Sequence, residues 1–278
     1  MTAVSLNEVL PQALENGYAI PGFVVHGWED ASAYVEAAED LNCPIILQAG
    51  PACRMHTPVS ILGRMFRYLA DQSKVKIVCH IDHALSAEEC IEGINEGFTS
   101  VMFDGSKLTL DENIEKTIEI KKIAKNYNVS LEGEIGFVGY NKKEKSVNTD
   151  PSIAEKYFRK TNVDALAVSV GNIHLNTSLS NKINLKLIHL IQQKVSCPLV
   201  IHGSSGIDCH IRKKLSSSTS ICKFNIGTEL RKTFGQEIRK ILSKNKSEFD
   251  RIKILSKIQP KLILKAKEII SNLRPDKF

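Results

Sequence analysis

The sequence predicts a TIM (β/α)8 barrel, and two features of its pattern lead to that fold class. Eight short apolar runs alternate with eight longer segments of helical period, and no long linker separates them. The runs hold roughly 5–7 mostly apolar residues without alternation, which is typical of parallel strands buried on both faces. Eight such units within roughly 240 residues match a TIM barrel. A doubly wound open sheet is the alternative, and it is less favoured because no GxGxxG follows the first run.

The eight units follow one another along the chain. In the first half, AIPGFVV precedes EDASAYVEAAEDL, PIILQ precedes PVSILGRMFRYLAD, VKIVCHI precedes SAEECIEGINEG, and TSVMF precedes DENIEKTIEIKKIAKNY. In the second half, VSLEGEI precedes DPSIAEKYFRKT, DALAVSV precedes NLKLIHLIQQKV, PLVIH precedes DCHIRKKLSS, and ICKFNI precedes TELRKTFGQEIRKIL. Each first member is a predicted strand and each second member a predicted helix. We expect one domain over residues 1–278, with a lysine-rich helical extension from about Lys244 packed against the barrel.

Composition argues against several classes of protein. Hydrophobic residues make up 42% of the chain, enough for a sizeable core, and the formal net charge is +6. Lysine and arginine dominate after Arg239, where a solvated amphipathic helix is favoured over a nucleic-acid surface because only Phe249 is interleaved there. No run approaches the ~20 apolar residues of a membrane-spanning helix. We therefore expect a protein that binds neither nucleic acid nor a membrane.

The cysteines and the N-terminus bear on the cellular compartment. Seven cysteines, an odd count without a CxxC pair, indicate reduced thiols rather than a disulfide framework. The N-terminal segment carries acidic residues and lacks the apolar core of a signal peptide. Both observations favour the cytoplasm.

Polar residues follow six of the predicted strands, in HIDH, MFDGS, LEGEIG, SVGNIH, VIHGSSG and FNIGTEL. Barrel enzymes carry their active sites at the C-terminal ends of the strands, so these residues should meet at one rim. One histidine at a strand end is more often structural than a ligand, but three on separate strands favour a metal site. His83, His174 and His202 would offer three imidazoles and an open position, as in a catalytic zinc site. His80 should point to the opposite face of its strand, because it lies an odd number of positions from His83.

The loops after the last two strands predict a phosphate-binding site. Loops after strands seven and eight form the usual phosphate site of TIM barrels, with backbone N–H groups at a helix N-terminus. A tight turn is the alternative reading of HGSSG taken alone. The candidate residues are Gly203, Ser204, Ser205, Asn225, Ile226, Gly227 and Thr228.

With these motifs the chain resembles the class II, metal-dependent ketose-bisphosphate aldolases of the fructose-bisphosphate and tagatose-bisphosphate type. The resemblance runs from about Gly17 to Phe234 and rests on HIDHA, SVMFDGS, EGEIG, TDP, VDALAVSVGNIH, PLVIHGSSGI and KFNIGTEL. It implies an aldehyde-lyase of carbohydrate metabolism, of the glycolytic type, acting on a sugar phosphate. It also implies a homodimer or homotetramer.

The resemblance further implies roles for individual residues. His83, His174 and His202 would bind one Zn²⁺ per chain, and Asp104 and Glu134 would hold the metal in a displaced position. Asp82 would exchange a proton with the hydroxyl at the cleaved bond. The residues after strands seven and eight would bind the dihydroxyacetone phosphate end, with a monovalent cation beside that phosphate.

Four positions depart from the family pattern. Val24 stands where the family has asparagine, Gly50 where it has serine, and Leu175 where it has glycine after the second metal histidine. The loop glutamate that serves carbon three aligns with Lys142, and we expect Glu144, two residues on, to take that role. These changes favour a ketose phosphate other than the standard substrate.

Two other function classes stay open at the level of sequence. One is a metal-free phosphate-binding barrel isomerase or lyase, and the other is a non-catalytic, metal-binding relative. A class I aldolase would need a lysine within a strand, and Lys223 is the obvious candidate. The three histidines argue against that mechanism.

Overall fold

The structure is a computed structural model that describes residues 2–139, 145–179 and 181–274. Eight parallel strands form a closed barrel in sequence order, with β1 hydrogen-bonded to both β2 and β8. The predicted TIM barrel is therefore confirmed. The strands are β1 Ile20–Val24, β2 Ile45–Ala49, β3 Ile77–Ala84, β4 Ser100–Phe103, β5 Ser130–Ile135, β6 Ala165–Val168, β7 Leu199–Ile201 and β8 Ile221–Ile226.

Each predicted amphipathic segment forms a helix, and the described residues contain further helices. The helices are α1 Leu10–Asn16, α2 Trp28–Asp40, α3 Pro51–His56, α4 Val59–Gln72, α5 Ala87–Asn95, α6 Leu110–Asn126, α7 Pro151–Thr161, α8 Leu185–Gln192, α9 Cys209–Ser218, α10 Thr228–Lys244 and α11 Arg251–Asn272. Sequence analysis missed α1 and α3 because helices of seven and six residues are too short to show a helical period.

The buried apolar residues form two clusters. The larger core lies between the strands and the surrounding helices. A smaller cluster joins strand residues such as Ile46, Val78 and Val200 to Leu6 and Leu10 of the N-terminal segment. That segment covers the N-terminal end of the barrel, so the polar residues gather at the opposite end.

The C-terminal helices pack on the outside of the barrel, where α11 lies against α2 and α10. The backbone N–H of Ala19 donates to the carbonyl of Leu273 at 3.0 Å, which ties the end of α11 to the start of β1. No helix in the described part of the chain is long and apolar enough to cross a membrane.

Candidate active site

Three histidines, one from the end of β3 and two from the segments that follow β6 and β7, meet at the C-terminal rim of the barrel. The ring centroids of His83 and His202 lie 4.6 Å apart, those of His83 and His174 5.0 Å, and those of His174 and His202 5.7 Å. One ring nitrogen from each lies within 4.8 Å of the others. His83 and His202 are buried and His174 is partly exposed. The group is thus close enough to share one ion and is open on the side of His174.

An irregularity at the end of β3 turns His83 into the barrel. The register between β3 and β4 shifts between Ile81 and Ala84, and His83 adopts a left-handed φ of 52°. The expectation that His80 and His83 face opposite sides is therefore wrong. Strict alternation holds only in a regular strand. Both rings are buried inside, but His80 lies one layer deeper, where its Nδ1 is 2.8 Å from Ser100 Oγ.

Unpartnered buried atoms face one another at the histidine cluster. His83 Nδ1 bonds Asp104 Oδ2 at 2.7 Å and His202 Nε2 bonds Glu132 Oε1 at 2.9 Å. The other nitrogens, His83 Nε2 and His202 Nδ1, have no hydrogen-bond partner among the described residues, and neither does Glu134 Oε2. Buried polar atoms without partners are costly. A divalent ion of the zinc type fits this donor set of imidazole nitrogens and a carboxylate.

A second possible ligand group shares His83 with the first. One ligand atom each of His83, Asp104 and Glu134 lies within 4.8 Å of the others. Glu134 Oε2 is 3.7 Å from His83 Nδ1 and 3.9 Å from His202 Nδ1. Ser106 orients Asp104 by donating both its N–H and its hydroxyl to Oδ1. The two groups are adjacent, as two alternative positions of one ion require.

The carboxylates give the site an electrostatic field that attracts cations. Burial acts to lower the pKa of His83, but Asp82, Asp104 and Glu134 outweigh it and raise that pKa to about 10. Burial and the charge on His83 hold the pKa of His174 and of His202 well below the usual range. Burial and the neighbouring Asp104 raise the pKa of Glu134. The neighbouring carboxylates therefore favour positive charge at His83, and the same charges would favour a bound cation.

Asp82 faces the open cleft beside the histidines. Its Oδ1 accepts a hydrogen bond from Asn225 Nδ2 at 3.0 Å, and its side chain lines the cleft. Arg54 fixes the backbone there. Its guanidinium donates to the carbonyls of Ala49 and Asp82 at 2.6 Å and to that of His83 at 3.1 Å. Helix α3 therefore supports the irregular end of β3.

The predicted phosphate-site residues fall into two groups. Gly203, Ser205, Asn225, Gly227 and Thr228 line the cleft, which has a volume of about 340 Å³. The other two do not. The Ser204 hydroxyl donates to the Ile201 carbonyl at 2.8 Å, and Ile226 packs in the core.

Gly203 permits the close turn at this wall of the cleft. It has a φ of 63°, and a Cβ there would lie 2.3 Å from the Ile173 carbonyl oxygen. Only glycine fits that approach.

A larger apolar groove of about 670 Å³ lies next to the cleft, between α2, α10 and α11. Its lining holds none of the metal-site residues, so the chemistry belongs to the smaller cleft.

Three of the four departures from the family pattern line this cleft, namely Val24, Gly50 and Leu175. Leu175 has a φ of 53°, the left-handed geometry in which glycine would be unstrained. The other departure, Lys142, and the predicted loop acid Glu144 lie outside the described residues.

The cleft also contains residues that sequence analysis did not single out. His26 lines it together with Arg231 from the first turn of α10. Arg231 stands three residues after Thr228, so helical spacing could have placed it at the cleft.

The sequence pattern gave no indication of the role of Arg54, because its helix was not predicted. Glu132 could have been found, since it lies two residues before Glu134 and shares its strand face.

Lys223 is fully buried and paired. Its Nζ donates to Glu132 Oε2 at 2.7 Å, and both side chains have zero exposure. A substrate carbonyl in the cleft has no open route to that amine. The arrangement agrees with the view that Lys223 is not a Schiff-base nucleophile.

Comparison with known proteins adds an independent observation. A family model for class-II fructose-bisphosphate aldolase matches residues 4–276. The structure of the YdjI aldolase from Escherichia coli K12 superposes with a TM-score of 0.86 at 26% identity, covering 99% of this chain and 98% of that one. Fructose-bisphosphate aldolase (Fba) from Campylobacter jejuni superposes with a TM-score of 0.81 at 21% identity, covering 98% of this chain and 95% of that one. The second likeness shows the fold alone.

Proposed function

Because the chain belongs to the class-II fructose-bisphosphate aldolase family, we propose that it is a zinc-dependent aldehyde-lyase. It cleaves or forms a ketose phosphate, with dihydroxyacetone phosphate as one partner. The observation that carries this proposal is the meeting of three imidazoles beside Asp82, with unpartnered nitrogens on His83 and His202.

In this proposal His83, His174 and His202 hold one Zn²⁺ per chain. Bound there, the ion supplies Lewis-acid stabilisation of the negative charge that develops on the ketose oxygens. Asp104 and Glu134 offer the ion its second, displaced position. Neutral imidazoles suit this task because they leave the ion its full charge.

Asp82 is the proposed proton acceptor. As the bond between carbons three and four breaks, the carbon-four hydroxyl gives its proton to Asp82 and its oxygen becomes the aldehyde carbonyl. The bonding electron pair stays with the dihydroxyacetone phosphate fragment. The hydrogen bond from Asn225 at 3.0 Å orients the carboxylate for this transfer.

Glu144 is the proposed source of the proton that carbon three takes up after cleavage. The assignment rests on the family resemblance, because the residue lies outside the described ranges. In the synthetic direction the same carboxylate removes that proton. Both proton transfers then balance, one at carbon four through Asp82 and one at carbon three through Glu144.

The phosphate of the substrate is proposed to bind between the ends of β7 and β8. Gly203, Ser205, Asn225, Gly227 and Thr228 form this wall, and α10, with its 17 residues, begins at Thr228. Backbone N–H groups at a helix N-terminus favour an anion. A monovalent cation beside this phosphate, a homodimeric or homotetrameric assembly and a cytoplasmic location are further parts of the proposal.

A panel of ketose mono- and bisphosphates, incubated with and without a strong chelator, tests the function. We expect aldehyde release from at least one of them, loss of the activity with the chelator, and its return with Zn²⁺. His202→Ala should abolish both metal content and activity. Cleavage that survives complete metal removal would overturn the zinc mechanism.

Within this proposal, the residues of the cleft favour a substrate other than fructose 1,6-bisphosphate. Leu175 places a branched side chain, 39% exposed, where the family has glycine, and Val24 replaces an amide side chain. Both changes remove room or polar contacts from the cleft. The panel therefore includes ketose phosphates that differ in chain length and stereochemistry.

A further inference from the structure

A buried polar layer lies directly beneath the histidine cluster, inside the barrel. Along β3 the inward residues run from Val78 of the apolar cluster through His80 to Asp82 in the cleft. Glu132, Lys223 and His202 belong to the same interior and have no exposed surface. The proposed reaction gives no role to Glu132 or to Lys223.

The hydrogen bonds of Glu132 determine where His202 carries its proton. Oε2 accepts from the ammonium of Lys223 at 2.7 Å, and Oε1 lies 2.9 Å from His202 Nε2. A carboxylate held by an ammonium group can only accept hydrogen bonds. His202 must therefore donate through Nε2, and its lone pair is left on Nδ1.

That lone pair is directed at the candidate metal position. His202 Nδ1 is the buried atom without a partner, and it lies 3.9 Å from Glu134 Oε2. The opposite tautomer would place a proton on Nδ1 and leave Nε2 without one, facing a carboxylate. Lys223 is held on its other side, with its Nζ 3.5 Å from His80 Nε2.

We propose that Glu132 and Lys223 are positioning residues for the metal site, which fix the tautomer and ring orientation of His202. The inference rests on the proposed metal-dependent function and deepens it. Hydrogen-bond partners of ligating histidines commonly orient the ring, and their loss lowers metal affinity by about 10–100-fold. Apolar residues of similar volume often replace buried ion pairs without loss of stability, so variants that lack the pair are expected to fold.

Two double variants separate positioning from packing. Glu132→Gln with Lys223→Met retains an oxygen that accepts from His202 Nε2. Glu132→Leu with Lys223→Met has nearly the same volume and lacks that acceptor. Both variants lose the buried charges, so the difference between them reports the hydrogen bond to His202.

Zn²⁺ affinity, measured by competition with a chromophoric chelator, is the readout. We expect the leucine variant to bind Zn²⁺ about 10–100-fold more weakly than the glutamine variant, while thermal unfolding without metal shows both folded. Equal affinities in the two variants, with tight binding by the wild type, would overturn the positioning role and leave the proposed function standing. A wild type that binds no Zn²⁺ would overturn the proposed function itself.

A second measurement uses the wild-type protein and does not depend on whether variants of Glu132 and Lys223 fold. Nitrogen-15 NMR of histidine-labelled, zinc-free wild-type protein should show His202 protonated at Nε2 and not at Nδ1. The signal is assigned by its disappearance in His202→Gln. Protonation at Nδ1 would overturn the inference whatever the activity of the enzyme.

Discussion

Leu175 combines an unfavourable backbone geometry with a position at the cleft. Its φ of 53° costs a residue with a Cβ about 1–2 kcal/mol relative to right-handed geometry. A family glycine at this position would avoid that cost and leave the cleft wider. The leucine thus adopts a backbone conformation that carries a penalty, at a position that lines the cleft.

Leu175→Gly should relieve the backbone strain and open the cleft. Glycine loses about 0.5–1 kcal/mol through the flexibility of the unfolded chain, so the net stabilisation should not exceed about 1.5 kcal/mol. We expect a lower KM for fructose or tagatose bisphosphate and a lower kcat/KM for the native substrate. Steady-state kinetics and denaturant unfolding measure the two effects.

Leu175→Ala is the matched control, since it removes the side chain and keeps the strained backbone. A KM lowered equally by alanine and glycine would assign the effect to side-chain bulk. A wild type that already cleaves either bisphosphate with kcat/KM of ~10⁴ M⁻¹s⁻¹ or more would contradict the altered-cleft idea.

Asp82→Asn should retain the fold and the metal while losing most of the cleavage rate. The exchange keeps an oxygen for the hydrogen bond from Asn225 and removes only the basic group. General-base contributions are typically 10²–10⁴-fold, and a loss of that size in kcat is expected. Zinc content measured alongside serves as the control. A rate loss below about tenfold would show that Asp82 is structural.

Individual site residues were predictable where the backbone is regular. His202 follows β7 directly, and His174 lies in the segment after β6, so their convergence follows from parallel strand ends meeting at one rim. His83 reaches the same point only through the left-handed turn and register shift at the end of β3, and alternation alone misplaced it relative to His80. A local bulge leaves no distinct mark in a single sequence.

At the scale of elements, the short helix α3 (Pro51–His56) supports the ends of two strands. Arg54 extends from it to three carbonyls at the ends of β2 and β3, and it also pairs with Glu89 of α5 at 3.0 Å. The arginine side chain is only 9% exposed. The left-handed turn at His83 therefore has a dedicated support from outside the barrel.

Arg54→Met should disturb the metal site, although residue 54 offers the ion no ligand atom. Methionine fills a similar space but donates no hydrogen bonds, so the carbonyls of Asp82 and His83 lose their partners. We expect Zn²⁺ affinity to fall by about tenfold or more, as for other residues that orient ligands. Metal titration of the purified variant provides the measurement.

Glu89→Gln is the control for this variant, because it removes the ion pair of Arg54 and spares the arginine–carbonyl bonds. Its Zn²⁺ affinity should match the wild type. Equal losses in both variants would assign the effect to the ion pair rather than to the support of β3.

On the scale of the whole molecule, buried thiols are distributed through the barrel. Six of the seven cysteines are buried, and Cys222 belongs to the cluster at the N-terminal end. Burial raises the pKa of Cys222 to about 12. The thiol of the unfolded chain ionises near pH 8.5, so the folded state retains a proton that the unfolded state loses.

Cys222→Ala should therefore become less destabilising as pH rises. The raised pKa favours the folded wild type fully below about pH 8.5, and the advantage is lost as pH rises from there toward 12. Between about pH 7 and pH 10 the difference in unfolding free energy between wild type and variant should shrink by about 2 kcal/mol. Denaturant unfolding at both pH values, with chelator present, gives the numbers.

Val200→Ala, in the same cluster, carries no titrating group and should cost the same at both pH values. A difference for Cys222→Ala that also stays constant would show that its thiol ionises alike in both states.

The fold itself was the most predictable property. Continuous apolar runs identified all eight strands, because parallel strands bury both faces and leave a strong signal in a single sequence. Closure between β1 and β8 followed from counting the units. The organisation of the chain as one domain stays a prediction. Contacts across the barrel such as that of Glu132 with Lys223 depend on register between strands far apart in sequence, which a pattern does not encode.

The pairing of the first strand with the last has a consequence for synthesis on the ribosome. Strand β1 needs β8, about 200 residues later, to complete its hydrogen bonding, and Ala19 is held by the carbonyl of Leu273. Pairings this distant along a chain delay folding. While the polypeptide is being made, the early strands must wait with open edges and uncovered apolar faces. Translation pauses before β8 emerges would thus prolong exposure to aggregation, and chaperone dependence should be greatest in that interval.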